Sequence, residues 1–354
     1  MTLDLQANNP QHDVVDLRSD TVTRPTPEMY EAILKAPLGD DVLGDDPTVM
    51  RLEELSAQLL DHEAALFVPS GTMANQIAIA CQTERGDGIL AEEESHIVYY
   101  ECGAPGVISG VVTWTLPSTL GIMDPGAIEA HVLKRTLHTP GTSLLCVENT
   151  HNRAGGTVVP LETMRAYKEI CDRNEMKLHL DGARVFNAAV ALGIDVAEIA
   201  RYTDTVSFCL SKGLGAPVGS MLCGTSAFIE KARQWRKRLG GGMRQSGILA
   251  ACGIVSLSNA AENLAEDHRR ARALASGLED LPGIEFDWNT VQTNMVLIRT
   301  EASASEWLDN LKQRNVWALD NSPNHIRLVL HSDIDDEKVE RAIEAFRSCA
   351  AALA

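Results

Sequence analysis

Two charged residues lie at the ends of strand-like segments, where an unpaired charge is unfavourable. Asp181 follows residues 178–180, and Lys212 follows the apolar residues 206–210 and precedes Gly213. Because an unpaired buried charge is strongly disfavoured, both residues are explained if a ligand lies between them. The carboxylate suits a pyridine nitrogen, and the amine suits an aldehyde as its Schiff-base partner. Together they predict a binding site for pyridoxal 5'-phosphate.

Each of these two residues also has a simpler interpretation. Aspartate is favoured at helix N-caps, and a helical pattern begins directly after Asp181. Lys212 alone fits a solvated loop lysine. The combination, with Ser211 before the lysine and glycines after it, favours the cofactor site.

A phosphate site is predicted where an apolar strand over residues 64–68 turns into a helix. The turn carries Ser70, Gly71 and Thr72. Glycine lets the backbone approach an anion, and the free N–H groups of a helix N-terminus bind it. By itself this signal is weak, because any Ser or Thr N-cap looks similar.

Three further residues have both a structural and a functional interpretation. His96 follows a predicted strand over residues 87–91, and a lone histidine is more often structural than catalytic. A basic helix precedes Gly240, and most of its charges are explained as a solvated face. Arg244 differs, because the three glycines before it place it on a backbone that can approach its neighbours closely. Arg327 lies between apolar neighbours, either as an outward-facing strand residue or as a bidentate clamp for the carboxylate of an amino-acid substrate.

The elements that position these residues indicate an α/β fold. Strands and helices alternate from residue 64 onward, which predicts a mostly parallel sheet with helices on both faces. A long helical segment over residues 248–278 is expected to link this unit to a small α/β lobe. The predicted organisation is a flexible tail (1–13), a cofactor-binding large domain (14–250), a linking helix (251–280) and a small C-terminal domain (281–354).

Composition restricts the partners of the chain. Its 354 residues are 45% hydrophobic, which predicts a large core. The formal net charge of −18 disfavours nucleic acid or an anionic membrane as the main partner.

No apolar run approaches the roughly 18 residues that span a bilayer. The N-terminal residues are polar and acidic, unlike a signal peptide. The eight cysteines show no C-x-x-C spacing, so neither disulfides nor structural zinc is expected. No metal-ligand residues are assigned, and the sequence leaves open whether a metal ion binds. A cytoplasmic location is predicted.

Seven motifs, in this order, resemble those of the L-threonine aldolases. They read DLRSDTVTRP from residue 16, GDDVLGDDPT from 39, SGTMANQIA from 70, ENTHN from 148, HLDGAR from 179, LSKGLGAPVGS from 210 and GGGMRQSGILAA from 240. The resemblance implies a pyridoxal-phosphate enzyme of the aspartate-aminotransferase fold type. It also implies active sites shared between subunits of a homo-oligomer, commonly a dimer of dimers.

The resemblance assigns roles around the cofactor. Lys212 would bond covalently to its aldehyde, Asp181 would pair with the ring nitrogen, and His96 would stack on the ring. The phosphate would be held by Ser70, Gly71 and Thr72, and Arg244 would lie near the cofactor or a subunit boundary.

The resemblance also assigns roles around the substrate. Arg184, Arg327 and Ser19 would contact the substrate carboxylate or its surroundings. His138 would lie near the substrate hydroxyl, and the base that takes the hydroxyl proton would be His96 or His138.

The implied reaction is cleavage of L-threonine or L-allo-threonine to glycine and acetaldehyde, with tolerance of other β-hydroxy-α-amino acids. β-Elimination and transamination remain alternatives, because one fold hosts many chemistries. A ligand-sensing regulator is disfavoured because no basic segment is left to bind DNA. Leu43 departs from the pattern, since several relatives have tyrosine there, and the preferred diastereomer stays open.

Overall fold

A computed structural model describes residues 14–353, so the predicted tail (1–13) lies outside the described residues. Its strands are β1 (Val15–Asp16), β2 (Ala64–Val68), β3 (Gly88–Glu92), β4 (Val112–Leu116), β5 (Ser118–Thr119), β6 (Ile122–Met123), β7 (Thr142–Glu148), β8 (Lys177–Asp181), β9 (Thr205–Cys209), β10 (Ser220–Gly224), β11 (Ile284–Glu285), β12 (Met295–Thr300), β13 (Val316–Trp317), β14 (Leu319–Ser322) and β15 (His325–Val329).

The helices lie between these strands as the alternating pattern predicts. They are α1 (Pro27–Lys35), α2 (Pro47–Leu60), α3 (Gly71–Gln82), α4 (His96–Tyr99), α5 (Pro125–His131), α6 (Leu161–Arg173), α7 (Val185–Leu192), α8 (Val196–Ala200), α9 (Ser226–Arg238), α10 (Gly247–Ser258), α11 (Ala260–Leu278), α12 (Ala304–Lys312) and α13 (Asp336–Leu353). The dipeptide Asp46-Pro47 predicts a helix start, with Asp as the cap and Pro in the first turn. The structure confirms it, because the Asp46 side chain accepts hydrogen bonds from the N–H groups of Thr48 and Val49.

The large lobe is a seven-stranded sheet in the order β2-β10-β9-β8-β7-β3-β4. Strand β10 runs antiparallel to β2 and β9, and the other pairs are parallel. Alternate residues of β2 pack on opposite faces: Phe67 contacts the core under α2, α6, α7 and α10, and Leu66 contacts the core under α3 and α9. The predicted mostly parallel sheet with helices on both faces is therefore confirmed.

The small lobe has its own core around Leu274, Trp307 and Phe346. Its sheet is antiparallel, in the order β11-β12-β15-β14. Strand β1 pairs with β13, and Val15 and Leu17 pack into this second core. The predicted boundary that gave residues from 14 onward to the large domain is therefore wrong for the first strand.

Two predicted helices are shorter than expected. Residues 248–278 form α10 and α11, which meet at a 67° bend at Asn259, and α10 packs in the large-lobe core through Ala250 and Cys252. The sequence pattern also predicts a helix from Asp124 toward Leu137, and this helix ends at His131. In residues 14–353 no single helix has the length and apolar character that crossing a bilayer requires; only α10 and α11 together pass this test, and the bend separates them.

Candidate active site

The site lies where the carboxyl ends of the parallel strands face the small lobe, as is general for open α/β sheets. A pocket of about 340 Å³ there brings together five of the predicted residues: Ser19, His96, Arg184, Lys212 and Arg327. All of these except Ser19 are basic, and they come from five segments of the chain. The pocket therefore suits an anionic ligand.

Asp181 is the last residue of β8 and is 5% exposed. Its carboxylate accepts hydrogen bonds from Asn75 Nδ2 at 2.7 Å and from the N–H of Ala183 at 3.1 Å. Burial acts to raise the pKa of Asp181, but the charges of His96 and Lys212 outweigh it, so this pKa lies below its ordinary value. Asp181 is therefore held as a carboxylate beside the pocket.

His96 is oriented by Glu101. The His96 Nδ1 lies 2.8 Å from Glu101 Oε1, and Glu101 also accepts from Asn75 Nδ2 at 2.9 Å and Gln76 Nε2 at 2.6 Å. Because a carboxylate only accepts, Nδ1 carries the proton and Nε2 is left to accept one. Burial acts to lower the pKa of His96, but the Glu101 hydrogen bond and the charge of Asp181 outweigh it and raise this pKa above its ordinary value.

The predicted phosphate site is the N-terminus of α3. Ser70 caps the helix by accepting from the N–H of Met73 at 3.2 Å. Gly71 packs so closely on the ends of β9 and β10 that an added Cβ would lie 2.9 Å from Cys209 Sγ. Glycine is thus required here by close approach, and Asn75 on the same helix reaches Asp181.

Arg184 forms a buried ion pair behind the pocket. Its Nε and Nη2 donate to the two Asp20 carboxylate oxygens, both at 2.7 Å, and the side chains are 4% and 0% exposed. Burial acts to raise the pKa of Asp20, but Arg184 and Lys212 outweigh it and hold this pKa far below its ordinary value. The predicted substrate contact is therefore also a structural partner of Asp20.

Arg327 reaches the pocket from the small lobe on β15. Its Nη1 donates to Asn152 Oδ1 at 2.7 Å and its Nη2 to the carbonyl of Arg18 at 3.4 Å. The buried Nε has no hydrogen-bond partner among the described residues. This leaves a donor of the guanidinium for a ligand such as a carboxylate.

Beyond Asp181 and the α3 N-terminus described above, two other predicted site residues, His138 and Arg244, do not line this pocket. His138 is exposed on the loop after α5, and its N–H donates to Thr136 Oγ1. Arg244 pairs with Asp40 at 2.9 Å, in the same surface region as Leu43, which is 74% exposed. Neither residue lines the pocket of its own chain. The predicted positions of His138 near the substrate hydroxyl, and of Arg244 near the cofactor or a subunit boundary, therefore stay predictions.

A larger cavity of about 940 Å³ lies in that second region, between the segment around Leu43 and the basic helix α9. It contains Arg236, whose Nη2 lies 2.9 Å from Asp41 Oδ2. None of the residues that line the smaller pocket lies in it. We therefore place the chemistry in the smaller pocket, where Lys212 lies.

Sequence reasoning missed the residues that orient the others: Asn75, Glu101, Asn152 and Asp20. Asn75 carried a signal, since it and Gln76 are buried polar residues that precede the buried apolar residues 77–81 of α3. Asn152 belongs to the ENTHN motif, and its Oδ1 accepts from Arg327 and, at 3.4 Å, from Arg184. Their partners are distant in sequence, so spacing alone could not pair them.

Comparisons with known proteins identify the family of the chain. The sequence profile of the beta-eliminating lyases matches residues 16–301. The chain is 43% identical over 341 residues to low-specificity L-threonine aldolase 1 of Arabidopsis thaliana, covering 94% of this chain and 95% of that protein. It is 41% identical over 337 residues to the low specificity L-threonine aldolase of Escherichia coli strain K12, covering 95% and 99%. The fold matches the threonine aldolase of Leishmania major with a TM-score of 0.83 at 21% identity, covering 95% and 99%. The chain belongs to the beta-eliminating lyase family and, within it, to the low-specificity L-threonine aldolases.

Proposed function

We propose that the protein is a lyase that uses pyridoxal 5'-phosphate to cleave L-threonine or L-allo-threonine to glycine and acetaldehyde. The observation that carries this proposal is the buried Asp181 carboxylate beside a basic pocket that contains Lys212. The relatives named as low-specificity L-threonine aldolases support the reaction type and a tolerance of other β-hydroxy-α-amino acids.

The residues present fit this cofactor. Asp181 is held ionised, which suits a protonated pyridine nitrogen, and Lys212 offers an amine to the aldehyde. The N-terminus of α3 offers free N–H groups to the phosphate at Ser70, Gly71 and Thr72. When bound, the cofactor takes up the amino group of the substrate and accepts the electron pair released at Cα.

The substrate carboxylate would be held by Arg327 and Ser19. Both line the pocket, and the unpaired Nε of Arg327 supplies a donor that no described residue uses. Fixing the carboxylate sets the orientation of the bonds at Cα, which decides the bond that breaks. A D-amino acid held by the same carboxylate contacts would place its side chain elsewhere, so these contacts favour one configuration at Cα.

The proton of the β-hydroxyl would pass to His96. Its Nε2 is left to accept a proton because Nδ1 donates to Glu101. Removing this proton drives cleavage of the Cα–Cβ bond, whereas protonating the hydroxyl would expel water. His138 contributes only if another subunit brings it to the pocket, because its own chain leaves it exposed.

The alternatives are β-elimination, as the name of the wider family suggests, and transamination. Product analysis separates the three. Incubation with L-threonine should give acetaldehyde and glycine in equal amounts. Predominant 2-oxobutanoate would overturn the proposal in favour of elimination, and alanine formed only when pyruvate is added would favour transamination.

We also propose a homo-oligomer, a dimer of dimers, with shared active sites. Large apolar side chains are exposed close together in sequence, including Tyr30, Leu34, Leu43 and Met50, and a monomer in water gains nothing from this exposure. A partner subunit that covers this surface would also approach Arg244. The eight free cysteines support a reducing compartment, and we propose the cytoplasm.

A further inference from the structure

The two lobes are joined at the rim of the pocket by the side chain of Arg153. Its Nη1 donates to the Tyr100 hydroxyl at 3.1 Å, its Nε to Glu94 at 3.1 Å, and its Nη2 to the Asn321 carbonyl at 3.2 Å. The guanidinium also stacks on Tyr99, with its carbon 4.1 Å from the ring centroid. Asn321 belongs to the small lobe, and the other three residues belong to the large lobe.

A second bond runs in the opposite direction across the same boundary. Asn321 Nδ2 donates to the Arg153 carbonyl at 3.1 Å. Asn321 lies in β14, which pairs with β15 so that Leu319 is opposite Arg327. The residue before Arg153 is Asn152, whose side chain accepts from Arg327. The Arg153 loop is therefore bonded to β14 and β15 together.

These contacts differ from an ordinary surface ion pair, whose contribution is small. The Arg153 side chain is only 10% exposed, whereas that of Arg299, on β12 of the small lobe, is 66% exposed and pairs with the exposed Glu285. Each of the three guanidinium nitrogens donates a hydrogen bond and the guanidinium plane stacks on a ring. A lysine ammonium on a flexible stem cannot reproduce that geometry.

We propose that Arg153 is a positioning residue that holds the strand carrying Arg327 against the large lobe, and so sets the affinity of the site for an amino-acid carboxylate. This rests on the proposed function, because it takes Arg327 as the carboxylate clamp. Loosening the rim would let β14 and β15 move away from Lys212 while every group that handles protons stays in place. The loss would therefore fall on binding rather than on the chemical step.

The test compares Arg153→Lys and Asn321→Ala with the control Arg299→Lys, all as holoenzyme. Calorimetry would measure the dissociation constant of glycine, steady-state assays would measure KM and kcat with L-threonine, and amide hydrogen exchange would follow residues 319–327. For Arg153→Lys we expect the glycine dissociation constant and KM to rise together by about tenfold, the loss of roughly one charge-assisted hydrogen bond. The kcat should stay within about twofold, and exchange in residues 319–327 should be faster.

Asn321→Ala should also raise the dissociation constant of glycine, and Arg299→Lys should leave this constant unchanged. Asn321 is only half-buried, so its variant answers the question even if Arg153→Lys folds poorly. Glycine affinity unchanged in both rim variants, or a fall in kcat with KM unchanged, would overturn the proposal. Wild-type protein that binds glycine without cleaving L-threonine would instead refute the proposed reaction, and the binding comparison would still decide the role of Arg153.

Discussion

Replacing Asp20 with alanine should destabilise the protein strongly, because it would leave the Arg184 guanidinium buried without its counter-ion. Arg184 donates two bonds of 2.7 Å to Asp20, and its other side-chain bond, to Asn152, is 3.4 Å long. Removing one partner of a buried pair costs about 3–5 kcal/mol. The side chains here are 4% and 0% exposed, so solvent cannot replace the lost partner without opening the site.

Urea unfolding at neutral pH and one fixed protein concentration would measure this loss. Glu54→Ala is the matched control, because Glu54 pairs with Arg51 on the surface of α2, with side chains 57% and 54% exposed, and its loss should cost well under about 1 kcal/mol. Replacing both buried partners, with Asp20→Leu and Arg184→Leu, should cost less than Asp20→Ala alone, since no unpaired charge remains.

The same pair predicts a dependence on pH. Arg184 holds the pKa of Asp20 far below its ordinary value, so the pair stabilises the fold above a pH of about 4 and loses this contribution as pH falls towards the folded-state pKa. The stability gap between wild type and Asp20→Ala should therefore narrow in acid. A stability loss below about 1 kcal/mol at neutral pH, or a stability gap that widens in acid, would show that the Asp20–Arg184 pair does not stabilise the fold in this way.

Two further predictions concern the base and the assembly. Glu101→Gln removes the main contact that raises the pKa of His96, so the acid limb of the kcat/KM profile should move to lower pH; an unmoved limb would exclude His96 as the base. Sedimentation at assay concentration should show an oligomer, and Leu43→Asp should weaken it together with activity, because Leu43 is 74% exposed on the proposed contact surface. A fully active monomer would contradict shared sites.

The large-lobe architecture could be predicted from the sequence because strand and helix patterns alternate regularly along this part of the chain. Asp181 and Lys212 could be singled out because an unpaired charge at the end of a buried segment is unfavourable. The structure places both residues beside one pocket. Gly71 was predicted from its turn, and its contact with Cys209 shows why no side chain fits there. These signals come from residues that are neighbours in the sequence, so they can be recognised without knowing the fold.

Long-range pairing could not be predicted in the same way. Strand β1 is two residues long and pairs with β13 some three hundred residues later in the chain, so no local pattern assigns it to the small lobe. Asn75 and Asp181 are 106 residues apart. The bend at Asn259 interrupts a segment predicted as one continuous helical stretch, because α10 packs on the large lobe while α11 packs on both lobes.

The most direct test of the central claim is to locate the cofactor on the chain. Holoenzyme reconstituted with pyridoxal 5'-phosphate would be reduced with borohydride, digested and analysed by mass spectrometry, with Lys212→Ala treated in parallel. We expect the added mass on the peptide that contains Lys212, and we expect the alanine variant to carry no added mass and to cleave no L-threonine. Added mass on another lysine, or full turnover by Lys212→Ala, would contradict this expectation.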